Sequence, residues 1–148
     1  MGWLATRRAV QSLPAFERIV ILPFENLGSP GDEYFAAGIT DEITSRLGSL
    51  GSLRVLSHNS AAVYDRSGKT TEQIGRDLGV GFILDGTVRW SRGGADSERV
   101  RITPRLIRVA DDTQIWSESF DRVIDDIFEV QAAIAEKTAQ RLGACAVG

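Results

Sequence analysis

With 148 residues, 43% of them hydrophobic and 25% charged, the chain is long enough to bury a core without disulfide or metal staples, and one domain is the expectation. A net charge of −3 excludes nucleic-acid binding driven by counterion release, and no apolar run approaches the ~20 residues of a membrane span. A single cysteine, Cys145, excludes an internal disulfide and leaves the redox compartment open.

In chain order, Met1–Phe16 carries Arg7-Arg8 without an apolar core after them, so it is not a secretory signal. It reads as a poorly ordered leader or linker over residues 1–16, ahead of an α/β domain over residues 17–148. Ile19–Phe24 is a continuous apolar run, the mark of a strand covered on both faces. A turn follows over Glu25–Asp32, where Ser29 reads as an N-cap with Pro30 in the first helical turn. Phe35, Ile39, Ile43, Leu47 and Leu50 recur at helical spacing and put one stripe of a long helix against the sheet. Glycines Gly48 and Gly51 end that helix, and Leu53–Ser57 reads as a second short strand.

Asn59 or Ser60 can cap a short helix over Ala61–Tyr64. Thr70 with Gln73 three residues on is a capping box for a helix over Glu72–Leu78, stopped by Gly79, with Ile74 and Leu78 facing inward. The second half is strand-rich. Phe82–Trp90 forms a strand, and Ser91–Ser97, with Gly93-Gly94, reads as a hairpin loop. Val100, Ile102 and Leu106 alternate with Arg101, Thr103 and Arg105, so the next strand has one solvated face. Pro104 cannot donate to a ladder and marks an edge or a bulge there. Asp111-Asp112-Thr113 turns the chain into a strand over Gln114–Asp121, with Trp116 and Phe120 on one face. Asp125 or Asp126 opens a last helix with a core stripe of Ile127, Val130, Ile134, Thr138 and Leu142. The fold class expected is a single α/β domain, a mixed sheet of about five strands with helices packed on it, in the order β-α-β-α-α-β-β-β-α.

Chemistry-bearing patterns fail on context. His58 and Cys145 cannot form a zinc site by known spacings, and Asp111-Asp112 and Asp125-Asp126 lack the alternation of a calcium loop. Ser57-His58-Asn59-Ser60 puts hydroxyls near the one imidazole, but neighbours in sequence need not face each other, and the chain has no nucleophile elbow. Gly68-Lys69-Thr70 resembles the end of a phosphate loop, but Val63 stands where the motif needs glycine. Gly79-Val80-Gly81 precedes a strand where a dinucleotide fingerprint needs a helix. No catalytic residue, cofactor or metal site is assigned. The remaining cluster is Arg89, Arg99, Arg101, Arg105 and Arg108, some of which would share a solvated sheet face. There Arg89, Arg101 and Arg105 are the candidate ligand or partner residues, suited to carboxylates or other anions. The competing reading is a solvated face paired to nearby acids.

A set of short motifs runs through the chain in order. It comprises Ile21-Leu22-Pro23-Phe24 with Asn26, Glu33-Tyr34-Phe35-Ala36, Gly38-Ile39-Thr40, Leu78-Gly79-Val80, Leu84-Asp85-Gly86, Arg99-Val100-Arg101-Ile102 with Leu106-Ile107, Trp116, Asp121-Arg122, Asp126-Ile127-Phe128 and Gln131. By their order and spacing the chain resembles the TolB amino-terminal-domain-like family over about residues 17–142. Ala37 stands where that family usually has aspartate, Pro104 where it has a small residue, and Asp111-Asp112-Thr113 where it has a glycine-containing turn. The resemblance implies a non-catalytic interaction or sensory module of a larger bacterial protein, signalling or envelope, of the kind that also carries cyclase, kinase, winged-helix or tetratricopeptide-repeat parts. Its implied partners are proteins or adjacent domains of the same chain, with no nucleic acid and no membrane insertion. Oligomeric state stays open, as does the choice between cytoplasm and periplasm. It further implies that Pro23 and Gly86 shape backbone, that Trp116 and Phe120 fill the sheet–helix interface, and that Asp121-Arg122 form a local ion pair. A small-molecule domain for anionic ligands, at the arginine face or the Glu25–Asp32 loop, is the alternative.

Overall fold

The computed structural model describes residues 18–50, 53–91 and 98–147; the expected leader and the tip of the hairpin loop lie outside them. Strands β1 (Arg18–Ile21) and β2 (Glu25–Asn26) lead through a 3-10 turn at Pro30–Asp32 into helix α1 (Glu33–Ser49). Strand β3 (Arg54–Val55) and helices α2 (His58–Val63) and α3 (Thr71–Leu78) follow. Then come β4 (Phe82–Ser91), β5 (Arg99–Arg108), β6 (Thr113–Ser117) and β7 (Phe120–Val123), a 3-10 turn at Ile124–Asp126, and helix α4 (Ile127–Val147).

The sheet is mixed, in the order β3-β1-β4-β5-β6. β1 runs parallel to β3 and β4, and β4 and β5 form a long antiparallel ladder from Phe82↔Arg108 to Ser91↔Arg99. Two short strands extend this five-strand path: β2 pairs with β4 beyond the end of β1, and β7 pairs with β5 beyond the end of β6. The single strand expected over Gln114–Asp121 is therefore two, β6 and β7, laid end to end along β5 and interrupted at Glu118-Ser119.

That interruption accommodates Pro104. The proline sits inside β5, opposite Gly86 of β4, and its carbonyl accepts a 2.8 Å hydrogen bond from the Ser117 hydroxyl. N–H and C=O of one strand residue point the same way, so the missing N–H faces the gap between β6 and β7 and no ladder bond is lost.

Helices α1 and α4 cover one face. Ile39, Ile43 and Leu47 of α1 and Val130, Ile134 and Leu142 of α4 enclose a core with Ile19, Ile21, Leu84, Ile102, Leu106, Trp116 and Phe120. Leu50 falls outside the α1 stripe: it is the C-cap residue and 45% exposed. Phe35 instead stacks on Trp90, ring centroids 4.5 Å apart. On the other face, α2 and α3 cover only one end of the sheet, where Ala61, Ile74 and Val80 meet Val20, Leu22 and Ile83.

The caps explain the helix bounds. Ser57, rather than Asn59 or Ser60, caps α2 by accepting from the Ser60 amide, so that helix starts at His58. Thr70 and Gln73 form the expected reciprocal capping box, and Gly79 closes α3 with φ +68°, a conformation that favours glycine. Ser29 precedes the 3-10 turn without a side-chain cap; its carbonyl accepts from the Asn26 amide at 2.7 Å.

Candidate functional site

The second sheet face beyond α2 and α3 is built by period-two alternation. Asp85, Thr87, Arg89 and Ser91 of β4 stand beside Arg99, Arg101, Thr103 and Arg105 of β5, with Arg89 directly opposite Arg101 and Asp85 opposite Arg105. Arg108 belongs to the alternate set of positions, opposite Phe82, and is held by Asp111 through two hydrogen bonds of 3.0 and 2.8 Å. That contact brings the Asp111 carboxyl down to about 2.

Two clusters occupy this face. At one end the Asp85 side chain is only 2% exposed, and its two oxygens accept from three guanidinium nitrogens on two arginines. Arg105 binds it in a fork, Nε to Oδ1 and Nη2 to Oδ2 at 3.0 Å each, while Arg66 Nη2 reaches Oδ2 at 2.7 Å. A groove of about 350 Å³ lies here, lined by Pro23, Glu25, Arg66, Gly86 and Thr87 together with the pair. A carboxylate can be buried only if paired, and the fork satisfies both oxygens.

At the other end Asp121 of β7 accepts from Arg99 Nε at 3.0 Å and Arg101 Nη2 at 3.1 Å. The Arg101 bond, then that from Arg99, holds its carboxyl below the ordinary value. Arg89, Ser91, Arg99, Arg101 and Asp121 line a groove of about 180 Å³. Arg89 makes no hydrogen bond or ion pair to another described residue.

Of the three residues singled out from the sequence, Arg89 and Arg101 thus meet in one groove, and Arg105 is committed to Asp85 at the other end of the same face. The expected ion pair within Asp121-Arg122 does not form. Neighbours on a strand point to opposite faces, so on Asp121 Arg122 reaches the main-chain carbonyl, at 3.0 Å, and not the carboxylate. Sequence reasoning missed Arg66, which lay in an unremarkable polar turn. The available signal was Asp85 itself, an acid directly after the apolar run Phe82–Leu84 in the same strand, which demands a cationic partner.

The other motifs are consumed locally. Lys69 of the phosphate-loop-like triplet bonds Asp77 at 3.0 Å and lies over the Tyr64 ring, and Thr70 is a cap. Ser57 donates to Ser60, and His58 Nδ1 lies 3.7 Å from Asp41. Pro23 leads into Phe24, whose amide donates to the buried Thr40 hydroxyl at 3.0 Å. A third surface is apolar: Tyr34, 91% exposed, and Phe128, 65% exposed, flank a groove of about 290 Å³ between α1 and α4. Among the described residues no helix is long and apolar enough to cross a membrane.

No family model matches the chain. A Rhizobium meliloti protein bearing the name "Putative adenylate cyclase 3" is 37% identical over 120 residues, which are 80% of this chain and 20% of that protein. The chain therefore spans about a fifth of the length of that relative. Lipoprotein GNA1162 from Neisseria meningitidis superposes with a TM-score of 0.59 at 15% identity, over 83% of this chain and 96% of that one. TolB from Acinetobacter baumannii gives 0.58 at 16% identity, over 84% of this chain and 28% of that one. Likeness at such identities speaks for the fold.

Proposed function

Because the chain has the fold of the TolB amino-terminal-like domains, we propose that it is a non-catalytic interaction or regulatory module of a larger bacterial signalling protein. The observation that carries this reading is the relation to one fifth of a far longer protein named as a cyclase, with 80% of this chain taking part. A segment used in that way is a unit joined to other parts, and an activity such as cyclisation would belong to those parts. Tetratricopeptide repeats or a kinase are the other associations the resemblance implies.

Surface chemistry supports the reading. The functional groups of the open sheet face are arginines and carboxylates in mutual ion pairs, an arrangement suited to recognition. A nucleophile beside an oriented base, the arrangement acyl transfer needs, is not formed at Ser57-His58. Tyr34 and Phe128 expose apolar area of the kind that accompanies protein contact. Partners are expected to be proteins or neighbouring domains. Arg89, which bonds no other described residue, favours a second reading, a site for a small anion, although among the described residues neither sheet-face groove has an aromatic wall to hold an organic ligand.

The test is turnover. The purified 148-residue chain incubated with ATP or GTP is expected to yield no cyclic nucleotide or diphosphate above a blank. Turnover abolished by substituting a residue of this chain would refute the proposal.

A further inference from the structure

The open sheet face has an excess of positive charge confined to one end. Arg89 and Arg101 stand opposite each other across the β4–β5 ladder, a like-charge pair that is unfavourable unless anions lie between or beside them. Arg99 lies two residues along β5 on the same face. Among the described residues one carboxylate, Asp121, serves these three guanidinium groups, and it bonds only Arg99 and Arg101. Among the described residues the cluster is therefore left with two positive charges in surplus, and its Arg89, which is exposed, bonds none of them.

Asp121 also shows what the cluster accepts. A carboxylate between two arginines, at 3.0 and 3.1 Å, is already the local geometry, and a second carboxylate beside Arg89 and Arg101 would repeat it. The groove is shallow in volume, about 180 Å³, and its lining is Arg, Ser and Asp. A nucleotide base is held best against an aromatic wall, and no aromatic residue is among the described residues lining this groove. A polyanion such as nucleic acid meets a chain of net charge −3. What remains is a carboxylate presented on a strand or loop. From Arg99 to Arg105 the face advances six residues, about 20 Å of strand, ending at the half-exposed arginines Arg66 and Arg105 over buried Asp85. An extended stretch of five or six residues matches that length.

We infer that the face at Arg89, Arg99 and Arg101 is the docking surface for an acidic protein segment, whose Asp or Glu side chains join Asp121 as guanidinium ligands. This rests on the reading of the chain as an interaction module and gives that module its partner chemistry.

The experiment is an NMR titration of the 148-residue chain with a hexaglutamate peptide, following backbone amides and arginine Nε–Hε signals. Hexaglutamine, inorganic phosphate and ATP are the comparison probes. The expected result is saturable shifts confined to β4, β5 and β7 around Arg89, Arg99 and Arg101, absent with hexaglutamine. Arg89→Glu is expected to weaken the peptide at least about tenfold, a change of about 1.4 kcal/mol, while Arg46→Glu on α1 leaves it unchanged. Because Arg89 is exposed and unpaired, its variant should melt with the wild type, which separates loss of binding from loss of fold. Shifts that map elsewhere, equal effects of the two variants, or no shifts at all would overturn the inference. So would tighter binding of phosphate or ATP at the same signals, which would make this a small-anion site. None of these outcomes produces turnover, the result that would sink the interaction-module reading itself.

Discussion

Removing the Asp85 carboxylate should destabilise the fold measurably, even though its burial cost is recovered at the same time. The carboxylate is 2% exposed and accepts three charge-assisted hydrogen bonds, two from Arg105 and one from Arg66. At about 1.5–3 kcal/mol each these total about 5–9 kcal/mol. Against this stands the cost of holding a carboxylate out of water, several kcal/mol, which Asp85→Ala recovers. Arg66 and Arg105 keep 40% and 48% of their side chains in solvent, so they rehydrate once released. The expected net loss is about 2–3 kcal/mol, or roughly 6–12 °C in melting temperature for a domain of this size. Urea denaturation of Asp85→Ala, Asp85→Asn, Arg105→Ala and Arg66→Ala gives the comparison. Asp85→Asn preserves volume and should lose most of the same stability, and Arg105→Ala should cost more than Arg66→Ala, since it deletes two bonds rather than one. A change below about 0.5 kcal/mol for Asp85→Ala, the level of a neutral surface substitution, would refute the reasoning, as would the reverse order of the two arginines.

Gly86→Ala should cost about 2–4 kcal/mol. A methyl there would fall against the Thr103 carbonyl oxygen, 2.8 Å from Pro104 Cα and 2.9 Å from the Phe24 ring, and two of these are backbone that cannot turn aside. Wild-type stability in the same urea assay would count against this close approach of β4 and β5. For Asp111, the Arg108 guanidinium holds the folded carboxyl at about 2, below the ordinary carboxylate value. Its stabilising contribution is thus complete above the unfolded value and lost as pH falls toward 2. A carboxyl-carbon NMR titration should show that low midpoint, and Arg108→Ala should return it toward the ordinary range. An unmoved midpoint would show that Arg108 is not its cause.

Much of the fold was legible because local signals and burial agreed. The run Ile19–Leu22 became the buried parallel strand, the Ile39–Ile43–Leu47 stripe became the core face of α1, and Thr70 with Gln73 formed its box. Misreadings fell where local pattern is silent about tertiary pairing. The residues between Gln114 and Asp121 look like one strand, and only the partner β5, with Pro104 at its middle, shows why pairing breaks at Glu118-Ser119. Leu53–Ser57 reads as a strand, yet the Ser57 hydroxyl begins a helix. The arginine face was visible as alternation along β5, whereas its acids were not. Arg66 and Asp85 are 19 positions apart, and Asp121 meets Arg101 across 20. No periodicity reports such pairs; a lone acid in an apolar strand is the only hint.

The mixed pairing of the sheet sets an order of assembly. β4 and β5 are joined by a short connection and can zip locally along ten residue pairs. β1 reaches β4 through three pairs, Ile19 with Phe82 to Ile21 with Leu84, each 63 positions apart, with α1, β3, α2 and α3 between them. Closing that long loop costs chain entropy before any contact repays it. The β4–β5 ladder is therefore the natural nucleus, and β1, though among the most deeply buried strands, is a late arrival. The open arginine face is carried by the nucleus, so its spacing is set before the rest of the chain has docked.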